Sequence, residues 1–220
     1  MGPVVVTGFE PYGGRGSNPA YDTMRALDGR TIGGAAVVGR KLPVAMAPLK
    51  ANIAAILDEI GPSAIISIGL WPGETMIRLE RVGINLADFE IADNEGAICR
   101  DLEISGNGTS ARLASLPLKR IEADLLAVGI PVRMSTSAGT FLCNACLYSF
   151  LEAVEQRAQH IPCGFIHVPY TPEQVSALLA EVRNGAQLER HQRADLASMD
   201  LSRTIQAVEL AVRATVETLA

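Results

Sequence analysis

Short apolar runs typical of β-strands alternate with segments of helical periodicity along nearly the whole chain. Residues 3–8 form a valine-rich run that leads into a loop dense in turn-forming residues, and residues 64–69 form a second apolar run. Between them, residues 48–60 carry leucine and isoleucine at helical spacing up to a Gly-Pro stop. Strands without a polar face are typical of sheets covered by helices on both sides. The alternation predicts one α/β domain over residues 1–220, a three-layer α/β/α sandwich with a mixed, mostly parallel sheet.

The same two patterns predict the remaining elements. Strands are expected over residues 35–44, 131–136 and 164–168, and helices over 18–27, 117–128, 140–159, 171–185 and 200–219. Residues 75–88 are predicted to form one long strand or two strands joined by a bulge. Residues 93–109 lack periodicity and are predicted to form an ordered surface loop that flanks a site. Residues 186–198 are charged and aperiodic.

Charge and length exclude several classes of protein. With 19 basic and 24 acidic residues the net charge is −5, so the chain lacks the basic excess that neutralises phosphates in nucleic-acid-binding proteins. No apolar run reaches the ~18 residues of a membrane span, and the first residues do not resemble a secretory signal. We therefore expect a cytoplasmic protein with neither nucleic acid nor a membrane as partner. A chain of 220 residues buries roughly 70% of its unfolded surface, so folding needs no metal or disulfide.

Cys143 is the strongest candidate for a reactive residue. The chain has four cysteines, too few for a disulfide scaffold, and a reducing compartment keeps them as thiols. Cys143 follows a predicted strand and falls in the first turn of the helix predicted from Thr140. There the helix dipole and the unpaired N–H groups favour the thiolate and are able to hold an oxyanion. The alternative is that Cys143 is a small apolar residue of a buried helix.

His167 is the candidate for a general base. It ends a predicted strand just before a helix start, and the carboxyl ends of strands form the ligand crevice of open α/β sheets. The alternative is a structural histidine whose hydrogen bonds are satisfied inside the fold. The other two histidines, His160 and His191, lie in polar segments and are expected to face solvent.

Glu80 is the candidate for a residue that orients the histidine. A carboxylate within an apolar strand loses hydration unless a cation or a hydrogen-bond donor meets it. A protonated His167 would be such a partner. The alternatives are a salt bridge with Arg78 or Arg81, or a solvated strand face.

Two other kinds of site use some of the same residues. Cys143 and Cys146 have the spacing of a dithiol redox centre, and with Cys163 and His167 they add up to four zinc ligands. Cys163 and His167, four residues apart on a strand, lie about 13 Å apart, too far to share one ion. The two residues between Cys143 and Cys146 are typical of a helix interior. The glycines near the N-terminus match no dinucleotide-binding fingerprint, so neither a metal nor a cofactor is expected.

Several stretches of this sequence occur together, in the same order, in one family of enzymes. They are Thr7-Gly-Phe-Glu-Pro-Tyr-Gly-Gly with Asn18-Pro-Ala, Glu80-Arg-Val-Gly-Ile-Asn, Asp93-Asn-Glu-Gly, Ala138-Gly-Thr-Phe-Leu-Cys-Asn and Gly164-Phe-Ile-His-Val-Pro-Tyr. With these motifs the chain resembles, over nearly its whole length, the pyroglutamyl peptidases (pyrrolidone-carboxylate peptidases). Members of that family are cytosolic cysteine peptidases.

The resemblance implies a reaction and the residues that perform it. Cys143 corresponds to the nucleophile, His167 to the general base and later acid, and Glu80 to the residue that orients the histidine. The implied reaction is removal of an N-terminal pyroglutamate from peptides through an acyl-enzyme, without a cofactor. Family members commonly assemble as tetramers, so a homo-oligomer is expected, with the apolar stretch at 102–118 as a candidate contact.

The resemblance also implies a substrate pocket. Pyroglutamate is a lactam without a free amine, so its recognition requires apolar walls and a few backbone hydrogen bonds. Phe9, Tyr12 and Phe141 match the aromatic positions around the lactam ring, and Leu70 matches a further substrate-binding position. The alternative for the aromatic residues is core packing.

Three positions depart from the family pattern. Leu70 stands where a glutamine is typical, and Glu74 and Glu90 stand where arginines are common. Backbone contacts at Leu70 survive such a change, whereas a carboxylate at position 90 disfavours an oxyanion nearby. Two alternatives therefore stay open. One is an amide or lactam hydrolase with the same triad and a different small substrate, and the other is an inactive homologue that acts through its surface.

Overall fold

A seven-stranded sheet runs through the computed structural model, which describes residues 2–158, 160–185 and 197–219. The elements are, in chain order, β1 (Val4–Phe9), α1 (Pro19–Leu27), β2 (Thr31–Ile32), β3 (Ala35–Leu42), α2 (Leu49–Ile60), β4 (Ala64–Leu70), β5 (Ile77–Glu80), β6 (Val82–Ile84), β7 (Ala111–Leu113), α3 (Leu118–Ala127), β8 (Val132–Ser135), α4 (Leu142–Gln156), β9 (Cys163–Val168), α5 (Pro172–Arg183) and α6 (Leu201–Glu217).

The strand order in this sheet is β2-β3-β1-β4-β9-β5-β8. Strand β1 is parallel to β3 and β4, β4 is parallel to β9, and β5 is parallel to β8. The pairs β2–β3 and β5–β9 are antiparallel. The prediction of a mixed, mostly parallel α/β sheet is confirmed. Because β5 runs against β9, the carboxyl end of β9 lies beside the first half of β5.

Helices cover the sheet on both faces, and the alternation of side chains along β1 shows how. Val4 and Val6 point into a core that includes residues of α1, α3 and α6. Val5, between them, points into a second core with residues of α2 and α4. All three valines are fully buried. The strand is apolar on both faces because each face meets its own helical layer.

The predicted segment 75–88 divides into strands of two different sheets. Strand β5 joins the large sheet, whereas β6 pairs with β7 in a separate two-stranded antiparallel sheet. Strands β2 and β7 were not predicted, because two or three residues are too few for a recognisable pattern. Of the aperiodic segment 186–198, only 197 and 198 belong to the described residues, so His191 lies outside them.

The helix starts agree with the sequence signals. Asn18 caps α1 by accepting a hydrogen bond from the backbone N–H of Ala20 at 3.0 Å, and Asp200 caps α6. Thr171 and Gln174 form a reciprocal capping box at α5. Helix α4 begins at Leu142, two residues later than predicted. Of the described helices, none is long and apolar enough to cross a bilayer.

Asn144 ties the start of α4 to strand β6. Its side-chain oxygen accepts a hydrogen bond from the backbone N–H of Ile84 at 2.9 Å, and its amide nitrogen donates to the carbonyls of Ile84 and Leu86, both at 2.9 Å. The side chain is fully buried. Gly83 allows this close approach, since a Cβ atom there would lie 2.9 Å from the backbone nitrogen of Tyr148 on α4. The Asn144 side chain and the close approach at Gly83 therefore join the start of α4 to strand β6.

Replacing Asn144 with alanine should destabilise the fold, because three backbone groups lose a hydrogen bond to its buried side chain at once. We expect the free energy of unfolding to fall by about 2–4 kcal/mol in urea denaturation. The exposed Asn107 is the matched control, and its replacement with alanine should change the free energy by less than about 0.5 kcal/mol. Equal effects of the two substitutions would contradict the anchoring role.

Candidate active site

Three neighbouring strands bring the candidate residues together. Gly69 on β4 is the register partner of His167 on β9, and His167 is the register partner of Arg78 on β5. Glu80 follows Arg78 by two residues, so both side chains lie on the same face of the sheet. Strands β4 and β9 end at this edge, where open α/β sheets bind their ligands.

His167 and Glu80 form a buried hydrogen-bonded pair. The distance between His167 Nδ1 and Glu80 Oε1 is 2.8 Å. The two side chains are 1% and 0% exposed. An ionised carboxylate only accepts hydrogen bonds, so Nδ1 carries the proton and Nε2 is left with its lone pair. This is the arrangement that a general base requires.

Arg78 is the second partner of Glu80. Its Nε donates to the same oxygen, Oε1, at 3.0 Å. Its Nη2 donates to Ser135 Oγ at 2.7 Å and to the carbonyl of Ser137 at 2.6 Å. Glu80 therefore contacts both a histidine and a cation, which the sequence had left as alternatives. The cation is Arg78 and not the exposed Arg81.

Cys143 is the second residue of α4, and its sulfur lies over strand β4 beside Gly69. A Cβ atom at Gly69 would be 2.7 Å from Cys143 Sγ and 2.7 Å from the ring of Phe165. The N-cap residue Phe141 contributes no side-chain hydrogen bond to the helix. The N–H groups of the first turn are therefore not occupied by a capping side chain.

The pKa values of the buried pair follow from burial and from the charges around it. Burial alone raises the pKa of Glu80, but the hydrogen bond from His167 and the charge of Arg78 outweigh it. The pKa of this carboxyl is therefore lowered, and Glu80 is ionised at neutral pH. Burial lowers the pKa of His167, and the charge of Arg78 adds to this effect, against the opposing interaction with Glu80. The imidazole is consequently neutral.

The thiol of Cys143 is held in its protonated form. Burial raises its pKa, and neighbouring Cys146 and Glu80 act in the same direction, whereas the backbone N–H of Cys143 opposes them. This differs from the expectation that the helix N-terminus favours the thiolate, because burial outweighs the N–H groups. A protonated thiol beside a neutral imidazole needs that imidazole to remove its proton.

A cavity of about 320 Å³ opens at Cys143, and His167 also lines it. All four residues predicted to bind substrate lie in its walls: Phe9, Tyr12, Leu70 and Phe141. The Phe141 ring packs edge-on against Phe89, with centroids 4.6 Å apart, and at 6.3 Å from the ring of Tyr12. The cavity is apolar along most of its surface, and it carries two acidic residues, Asp88 and Glu90.

Trp71 belongs to this site, although the sequence analysis did not select it. It lines the cavity, and its ring meets the His167 ring edge-on with centroids 4.9 Å apart. The Arg78 guanidinium carbon lies 3.8 Å from the centroid of the same ring. The available signal was that the only tryptophan of the chain lies two residues after the end of a predicted strand.

The four cysteines are free thiols. Among the described residues, no group of three or more His, Cys, Asp and Glu side chains is placed to hold a metal ion. Cys146 faces β4 as Cys143 does, with its sulfur 3.7 Å from Ser67 Oγ, and Cys163 is buried at the start of β9. His160, on the other side of the fold, is exposed.

Adding a methyl group at Gly69 should displace the Cys143 thiol and lower its reactivity. We expect Gly69→Ala to displace Cys143 Sγ and to slow its alkylation by chloroacetamide by about tenfold or more, because the added carbon would lie only 2.7 Å from the sulfur. The control is Gly106→Ala, since no atom lies within 4 Å of a Cβ there. Mass spectrometry of the labelled peptide measures the rate, and an unchanged rate in Gly69→Ala would refute the assignment.

Comparison with known proteins agrees with this geometry. A family model described as pyroglutamyl peptidase matches residues 3–218. The pyrrolidone-carboxylate peptidase of Cupriavidus pinatubonensis is 38% identical over 219 residues, which cover 99% of this chain and 94% of that protein. That of Pyrococcus furiosus is 42% identical over 172 residues, 78% of this chain and 83% of that protein.

The fold agrees as well as the sequence. The crystal structure of pyrrolidone carboxyl peptidase from Pyrococcus furiosus matches with a TM-score of 0.90 at 37% identity, covering 99% of this chain and 100% of that one. The resemblance inferred from the motifs is confirmed. The chain belongs to the pyroglutamyl peptidase family.

Proposed function

We propose that this protein is a cysteine exopeptidase that removes N-terminal pyroglutamate from peptides, with Cys143 as nucleophile, His167 as general base and Glu80 as the orienting carboxylate. One observation carries the proposal: Cys143 and His167 line the same cavity, and the imidazole donates to a buried Glu80 at 2.8 Å. Membership of the pyroglutamyl peptidase family supports the choice of substrate.

The reaction consists of two acyl transfers at the same carbonyl carbon, first to Cys143 and then to water. His167 Nε2 takes the thiol proton as Cys143 Sγ bonds to the carbonyl carbon that joins pyroglutamate to the next residue. The carbon–nitrogen bond then breaks, and the imidazolium gives its proton to the leaving amine. A water molecule, deprotonated by the same imidazole, attacks the thioester and releases free pyroglutamate and the thiol. No cofactor enters this sequence.

The cavity suits a small neutral ring. Its apolar walls, with Phe9, Tyr12, Leu70 and Phe141, match a lactam that carries neither an amine nor a charge. Leu70 supplies no side-chain amide, so at this position only its backbone groups are able to hydrogen-bond the lactam. The developing oxyanion is assigned to the N–H groups of the first turn of α4, which no capping side chain occupies.

The nucleophile assignment is tested by release of a fluorescent amine from a pyroglutamyl amide under reducing conditions. Cys143→Ala should lower kcat by more than about 10⁴. Glu80→Gln should cost less, about 10²–10⁴, because it disturbs the orientation and not the attack. Cys146→Ala is the matched control and should keep the activity. Near-normal turnover by Cys143→Ala would remove the proposal.

Two acidic side chains at the cavity predict a charge preference at the residue that follows pyroglutamate. Asp88 and Glu90 are exposed and line the cavity, and none of its described lining residues is a lysine or an arginine. The neutral lactam does not interact with their charges, whereas the residue after it leaves the cavity past them. A cation at that position is attracted and an anion is repelled.

We expect pyroglutamyl-lysine peptides to be cleaved with a kcat/KM about fivefold higher than pyroglutamyl-glutamate peptides, a ratio that falls as salt is added. Glu90→Gln should reduce this ratio. The control Glu95→Gln removes a nearby exposed carboxylate that does not line the cavity, and it should change the ratio less. A preference for glutamate in the wild type would show that these carboxylates do not shape specificity.

The proposal extends to assembly and location. Leu102 and Leu113 are 53% and 75% exposed, which supports a homo-oligomeric contact, a tetramer by resemblance to the family. All four cysteines are free thiols, and a reactive thiol is preserved best in the reducing cytoplasm.

A further inference from the structure

We propose that Arg78 is a positioning residue of this active site, whose guanidinium holds the Glu80 carboxylate against His167 and balances its charge. The inference rests on the proposed function, since it concerns the same triad. In this role Arg78 does more than form a structural salt bridge with Glu80.

The guanidinium is fixed on every side. Its Nε binds Glu80 Oε1 at 3.0 Å, the same oxygen that His167 Nδ1 approaches to 2.8 Å. Its Nη2 is held by Ser135 Oγ and by the carbonyl of Ser137, and its Nη1 lies 3.4 Å from Glu74 Oε2. The ring of Trp71 covers one face of the guanidinium at 3.8 Å. A planar group held in this way fixes the carboxylate in turn.

The backbone places Arg78 next to the imidazole. Arg78 and His167 are register partners on antiparallel strands, so their side chains leave the sheet on the same face. Trp71 contacts both, with its ring stacked on Arg78 and edge-on to His167. Arg78 is 7% exposed, so its charge acts on the imidazole through protein and not through water.

The charges around His167 show what the arginine contributes. Glu80 and Arg78 face it from β5, Glu74 from the segment before β5, and Cys143 from α4. Without Arg78, Glu80 would lose the arginine that pairs with it, whereas Glu74 would keep its ion pair with Arg133. His167 would then bind a proton more readily, and a protonated imidazole does not accept the thiol proton.

The test compares Arg78→Gln with the wild type in the full chain. We expect kcat for the pyroglutamyl amide to fall by about 10- to 100-fold with little change in KM. We also expect the acid limb of the pH–rate profile to move to higher pH by about one pH unit, because loss of the cation raises the pKa of His167. Arg78→Lys keeps the charge and loses the planar fork, so it should lower kcat without moving the limb.

The control is Arg133→Gln. Arg133 binds the same Glu74 carboxylate from an exposed position and does not contact Glu80, so its replacement should leave the acid limb in place. A purely structural Arg78 predicts that the surviving activity of Arg78→Gln keeps the wild-type pH profile, and that result overturns the proposal.

Two further measurements separate failure of this proposal from a folding defect and from failure of the proposed function. If Arg78→Gln fails to fold, Ser135→Ala removes one hydroxyl that holds the guanidinium, and a kcat within about twofold of the wild type in both Ser135→Ala and Arg78→Lys overturns the proposal. The pH dependence of Cys143 alkylation by chloroacetamide needs no substrate. It therefore tests Arg78 even if the wild type releases no amine from pyroglutamyl amides, a result that would count against the proposed function alone.

Discussion

A carboxylate without access to water stands at the centre of this structure. Glu80 is fully buried on a strand of the sheet, and a buried charge persists only if donors and cations surround it. His167 and Arg78 both meet this requirement at one oxygen. The same demand orients the imidazole and leaves its second nitrogen free, whereas burial and the charge of Arg78 keep the imidazole neutral. The proposed catalytic arrangement therefore follows from the need to pair the buried charge of Glu80.

The position of Cys143, the proposed nucleophile, depends on its contacts with the backbone of neighbouring strands. Gly69 has no side chain, so the Cys143 sulfur lies directly against β4, beside the strand that carries His167. Asn144, the next residue after Cys143, binds three backbone groups around β6 and so fixes the start of α4. Two residues without a chemical role thus determine where the thiol lies.

Much of this was predictable from the sequence, and the rest was not for physical reasons. Apolar runs alternating with helical segments predict the sheet and its two helical layers, because burial on both faces leaves a periodic trace. Short strands such as β2 and β7 leave none. Spacing alone did not decide between His167 and Arg78 as the partner of Glu80, since register across strands is a tertiary property. The protonated state of Cys143 also depends on burial, which a helix start does not reveal.

The central claim is that His167 is neutral in the resting protein and ready to accept the thiol proton. The direct measurement is the titration of its imidazole by NMR, with the His167 resonance identified by its loss in His167→Gln. We expect a midpoint below the ordinary value of about 6.5, because burial and Arg78 outweigh the attraction of Glu80. A midpoint clearly above that value, with an imidazolium at neutral pH, would contradict it.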